Sequence, residues 1–148
     1  MSRLAPRLFR IAPGYLAASA CLLALLVLIA LYVRDGFVRP FLGDVLAVIW
    51  VHLCIRAVSN THHFIAASGA LAVAFTLEFA QYFRLIEILG LQDVRPARVI
   101  LGATFDPLDL LAYTIGAALI AAIEHGLARS RAGAGEAFDA EQKEAAER

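Results

Sequence analysis

Charge is scarce in this chain. Only 18% of its 148 residues are charged, and acids and bases cancel to a formal net charge of zero. No basic stripe with interleaved aromatics occurs, which excludes the electrostatic footprint of a nucleic-acid binder. Cysteine is nearly absent too. Cys21 and Cys54 both fall inside apolar runs, so they read as small buried hydrophobes rather than a disulfide or metal pair. The chain also lacks a phosphate-binding glycine loop, a metalloprotease helix motif and a nucleophile elbow. These absences support neither a cofactor nor a metal, and they lean away from an enzyme.

What is abundant is apolar surface. Hydrophobic residues make up 61% of the chain, and its mean hydropathy is +0.73. A soluble domain of this size needs polar residues to cover itself, so the excess points to lipid as the solvent. From Tyr15 to Val33 no charge occurs, with Arg10 and Arg34 bracketing the run. At about 1.5 Å per residue that length matches a hydrocarbon core of about 30 Å. The basic start at Arg3, Arg7 and Arg10 suits a signal peptide, but the run is too long and no small-residue cleavage site follows. An uncleaved first span at about 12–33 is the reading, followed by weaker spans at 41–58, 64–83 and 105–125. A charge isolated at mid-bilayer costs about 2.5–3.5 kcal/mol on insertion scales. Here the charges gather near span ends, where water is close. The rival, a soluble helical bundle, fails on the first span, which has no polar face.

The fold expected is therefore all-α: a polytopic membrane protein with a bundle of about four transmembrane helices. Between spans three and four, Arg84 to Leu101 mixes apolar and charged residues and is too short to span, so it reads as an amphipathic segment lying in the interface. Ala66, Ala70 and Ala74 repeat every four residues, as do Ala117 with Ala121 and Ala118 with Ala122, the spacing that lets helix backbones approach in lipid. Residues 128–148 are rich in Ala, Gly and Glu, cannot bury a core, and read as a disordered or loosely helical charged tail.

Polar residues collect in two stretches. One joins spans one and two and holds Asp35, Arg39 and Asp44. The other runs from Glu78 through Gln81, Arg84, Glu87, Asp93, Arg95 and Arg98 to Asp106 and Asp109. Two crossings separate them, so four spans place both on one membrane face. Arg3, Arg7, Arg10, Arg56, Arg129 and Arg131 lie on the opposite, terminal side, against Arg34, Arg39, Arg84, Arg95 and Arg98. That slight bias favours cytoplasmic termini in a multi-pass protein of the plasma (inner) membrane.

The candidate polar site is Asp35, Arg39, Asp44, Glu78, Gln81, Arg98, Asp106 and Asp109. Glu78, Gln81 and Tyr82 share a helix face, and an ionisable group inside a span is a functional candidate by default. The plainer alternative pairs Glu78 with Arg98 or Arg39. Asp106-Pro107-Leu108-Asp109 has the pattern of a helix start, with Asp106 as N-cap, Pro107 at the first position and Asp109 in a capping box. The carboxylates could bind a divalent cation through oxygen ligands, or the arginines an anionic headgroup. His62 and His63 read as solvated in a short turn. His52 and Arg56 read as snorkelling near a span end.

Asp35-Gly36, Arg39-Pro40, Leu42-Gly43-Asp44, Glu78-Phe79-x-Gln81, Arg98, Leu101-Gly102, Phe105-Asp106, Asp109 and Gly116 together resemble a bacterial family of small membrane proteins with a domain of unknown function (DUF2809 type). The likeness covers roughly residues 8–125. The Glu-x-x-Gln, Arg, Asp-x-x-Asp and Gly series is more loosely similar to VanZ-like proteins, which implies a cell-envelope setting. Three functions compete. The polar face handles or senses an envelope lipid or cell-wall precursor. Alternatively the chain is a small oligomeric proton- or cation-coupled transporter using Glu78, or a non-catalytic membrane scaffold whose polar residues are caps and ion pairs.

Overall fold

The computed structural model describes residues 11–91, 93–94 and 105–146. Arg98, Arg95 and the Leu101-Gly102 pair lie outside the described residues. Within them the chain is helical: α1 (Pro13–Tyr32), α2 (Val38–Val58), α3 (His63–Tyr82), a single turn α4 (Leu85–Ile88) and α5 (Pro107–Ala146). Four of these helices are long and apolar enough to cross a membrane.

Helix α1 starts with Pro13 at its first position, where a missing N–H costs nothing. It is apolar on every side and buries only Ser19, leaving Leu23, Leu25, Leu28 and Leu31 exposed. Such a helix is stable only in an apolar solvent. Among the described residues α1 packs on α2 alone. Helix α2 is central and also contacts α3 and α5, which contact each other. At the terminal end, the N–H of Ala12 donates to the Ala57 carbonyl at 2.9 Å and pins the start of α1 to the end of α2.

The core is made of small residues. Ala66, Ala67, Ala70 and Ala74 of α3 are buried with Ala117, Ile120 and Ala121 of α5 and Val48 of α2. Of the two alanine registers on α5, the structure buries Ala117 and Ala121 and leaves Ala118 and Ala122 exposed. Gly116 makes the closest approach. A β-carbon there would collide with Val48 Cγ1 and with the Val45 backbone carbonyl, so α5 lies directly against α2.

The connector after α3 turns sharply. Arg84 adopts a left-handed φ of 52° and Gly90 one of 65°, and α4 lies between them. Arg84 and Glu87 pair at 3.5 Å on its exposed side, while Leu85 and Ile86 are half-buried. The remainder of the expected interfacial segment lies outside the described residues.

Helix α5 runs on into the tail. Its 40 residues extend about 60 Å, twice the hydrocarbon thickness. It continues to Ala146, and from His125 on its described residues are exposed. The tail has little apolar surface to bury in a core. Alanine and glutamate nonetheless have high helix propensity, and a helix already nucleated in the membrane propagates through them.

Candidate functional site

At the end where α1 stops and α2 and α5 begin, two carboxylates meet one hydroxyl and a third lies beside them. Tyr113, two turns into α5, places its Oη 3.2 Å from Asp44 Oδ1 on α2 and 3.2 Å from Glu78 Oε1 on α3. Asp109, one turn before Tyr113 on the same α5 face, comes within hydrogen-bonding reach of Asp44. Glu78 is 1% exposed, so among the described residues its carboxyl meets polar groups inside the bundle. Tyr113 was not among the residues singled out from sequence. A phenol is ordinary within an apolar helix, but its i+4 spacing from Asp109 was the signal available.

Flanking groups serve the helix ends. Asp35 Oδ1 accepts the N–H groups of Phe37 at 2.9 Å and Val38 at 2.7 Å, satisfying donors that the start of α2 leaves free. These bonds favour the ionised form and hold its carboxyl below the usual carboxylate range. Asp106 caps α5 as expected, its Oδ1 accepting the Leu108 N–H at 2.9 Å with Pro107 next in the chain. Asp109, which a capping box would turn toward Asp106, lies beside Asp44 instead. Gln81 is half-buried, whereas Tyr82 is exposed and rests edge-on against Phe83 and Phe105, so the shared face of Glu78, Gln81 and Tyr82 diverges at its end.

A groove of about 770 Å³ opens beside this cluster. Leu26, Val27, Ile29 and Ala30 of α1 form an apolar wall, and Arg34, Asp35, Arg39, Asp44 and Asp109 supply the polar lining. Among the described residues Arg34 and Arg39 enter no ion pair, so of the two partners that the plainer alternative offers Glu78, Arg39 does not pair with it and Arg98 lies outside the described residues. Nor, among the described residues, are three or more His, Cys, Asp or Glu side chains arranged to hold a metal ion.

The opposite, terminal end contains a second polar network that the sequence reading misplaced. His52 is fully buried rather than snorkelling, with Nε2 3.0 Å from Glu124 Oε1 on α5. Arg56 Nε faces Glu124 Oε2 at 3.3 Å, an ion-pair distance. The same guanidinium donates to the Tyr15 hydroxyl at 2.9 Å and to the Thr61 carbonyl. His63, expected in solvent, is buried, whereas His62 is exposed. The error has a plain cause. His52 and Arg56 are one turn apart near a helix end, but their partner Glu124 lies 72 positions after His52 in the chain.

Four helices long and apolar enough to cross a membrane, with a carboxylate–tyrosine cluster at one end of the bundle, define a polytopic integral membrane protein. The chain belongs to the family described as "Protein of unknown function (DUF2809)", whose model matches residues 33–117, more than half its length. The match includes all eight candidate residues together with Tyr113 and Gly116. No curated protein and no solved structure matches the chain.

Proposed function

We propose that this protein binds an envelope amphiphile, a lipid or a lipid-linked wall precursor with an anionic headgroup, at the polar face of the plasma membrane. The observation that carries the reading is the groove, apolar along α1 and polar at its mouth. An amphiphile matches that division. Its chain lies against Leu26, Val27, Ile29 and Ala30, and its phosphate meets the guanidinium groups of Arg34 and Arg39. Asp44 and Asp109, at the inner end of the polar lining, orient headgroup hydroxyl or amine donors, and Tyr113 holds the carboxylates in place. With the termini in the cytoplasm, the groove faces outward. The test is a lipid and wall-precursor profile of a strain lacking the gene, complemented with wild type, Arg39→Ala and Glu78→Gln at matched membrane levels. Accumulation of one amphiphile that only wild type reverses supports the reading, and an unchanged profile sinks it.

A second reading, an oligomeric proton- or cation-coupled transporter, draws on one specific feature. A buried carboxyl linked through Tyr113 to a half-buried one is suited to exchanging a proton. It predicts pH-dependent flux in proteoliposomes that Glu78→Gln abolishes.

A further inference from the structure

The terminal end holds a separate cavity of about 360 Å³ between α1 and α5, floored by α2. Its deep wall is apolar, with Ala18, Leu53, Ile120 and Ile123. Its mouth carries Tyr15, Arg56, His63, Glu124 and Arg131. The charges are unevenly spent. Glu124 already faces both Arg56 and His52, so the Arg56 guanidinium is compensated. Arg131 is exposed, lines the mouth and enters no ion pair among the described residues. His63 adds a second polar group. It is 8% exposed, and its Nε2 is buried without a hydrogen-bond partner among the described residues.

Depth fits a lipid. Arg131 lies 24 residues after Pro107, the start of α5, so at about 1.5 Å per residue it stands about 36 Å along the helix, just past the hydrocarbon core. His63 is the first residue of α3 and Tyr15 belongs to the first turn of α1, so both occupy the same interfacial layer. A basic group above an apolar slot, between helices at headgroup depth, recognises an anionic lipid.

We propose that this cavity is a binding site for an anionic phospholipid of the terminal-side leaflet. Arg131 pairs with its phosphate, the His63 imidazole supplies a hydrogen bond, and the acyl chain runs along Leu53, Ile120 and Ile123. The site is distinct from the groove at the polar face and shares no residue with it.

Native mass spectrometry of the full-length protein in neutral detergent, titrated with phosphatidylglycerol and phosphatidylcholine, tests this directly. Wild type retains phosphatidylglycerol over phosphatidylcholine by about fivefold, the factor that one interfacial arginine supplies. Arg131→Ala removes that preference and His63→Leu weakens it. Arg129→Ala, an exposed neighbour outside the cavity lining, leaves it intact. Equal loss in both arginine variants would show general surface charge and overturn the site. So would an absent headgroup preference in wild type, or inorganic phosphate displacing no phosphatidylglycerol at any concentration at which it binds.

Discussion

The hydroxyl of Tyr113 stands 3.2 Å from Oε1 of Glu78, joining a residue that sequence marked to one that it did not. The same oxygen reaches Asp44 at 3.2 Å. One phenol therefore ties α2, α3 and α5 together at the polar face.

Removing that oxygen leaves two buried or half-buried carboxyls short of a partner. Tyr113→Phe is expected to destabilise the purified protein by about 1–3 kcal/mol, the cost of an unsatisfied buried acceptor. Glu78→Gln keeps a hydrogen-bonding side chain and is expected to cost less. Thermal unfolding in detergent checks both, and complementation at matched membrane levels separates stability from activity. Should Tyr113→Phe melt like wild type, the phenol does not hold the cluster.

The network at the other end predicts a larger loss. Glu124→Ala strands His52, which is fully buried, and leaves Arg56 with only neutral partners. Breaking a buried pair on one side costs about 3–5 kcal/mol. Glu124→Gln retains an acceptor for one partner and is expected to fall between. Melting temperatures of the two variants in the same detergent give the order, and an Ala variant as stable as Gln would argue against the pairing.

Glycines on α5 offer a controlled contrast. Gly116→Ala drives a methyl group into Val48 and the Val45 carbonyl, where a backbone atom cannot yield. Overpacking of this kind costs about 1–3 kcal/mol. A β-carbon on Gly126 meets nothing within 4 Å, so Gly126→Ala is expected to be neutral or to stabilise by up to about 1 kcal/mol through helix propensity. A scan in which both variants behave alike would contradict the close approach of α2 and α5.

Acid should loosen the start of α2. The folded-state carboxyl of Asp35 is held below its ordinary range by the Phe37 and Val38 N–H groups. A depressed value means that its stabilisation is complete at neutral pH, above the unfolded value, and is lost as pH falls through the folded one. Because Asp35 is exposed, the effect is small. Asp35→Asn should show a shallower loss of melting temperature between neutral and acid pH than wild type does. Parallel curves would remove the cap from the account.

Deleting the chain after Gly135 is expected to leave the melting temperature unchanged, because the described residues from His125 onward are exposed. A large drop would mean that the distal half of α5 supports the bundle.

Much of the architecture was legible because lipid imposes simple rules. A backbone crossing hydrocarbon must satisfy its own hydrogen bonds, so the uncharged run that became the 20-residue α1 could only be a helix. The resulting helices are α1 at Pro13–Tyr32, α2 at Val38–Val58 and α3 at His63–Tyr82. Counting crossings was enough to bring Asp44, Glu78 and Asp109 to one face, and the Asp106-Pro107 start of α5 followed from local capping chemistry. Partners were less legible. Tyr113 has only its i+4 spacing from Asp109 as a local mark, and it and Glu124 act on residues at least 35 positions away in sequence.

The sequence by itself thus determined the solvent, the number of helices able to cross it and the capped start of α5, because each depends on composition or on neighbours within one helical turn. Only the tertiary structure decided which carboxyl meets which hydroxyl, that His52 and His63 are buried, which alanine register faces inward, and that α1 stands apart from α5 to leave a cavity at each membrane face. Those outcomes depend on the rotation and tilt of one helix against another. Both are set by close contacts such as Gly116 on Val45 and Val48, which unite positions that no local pattern connects.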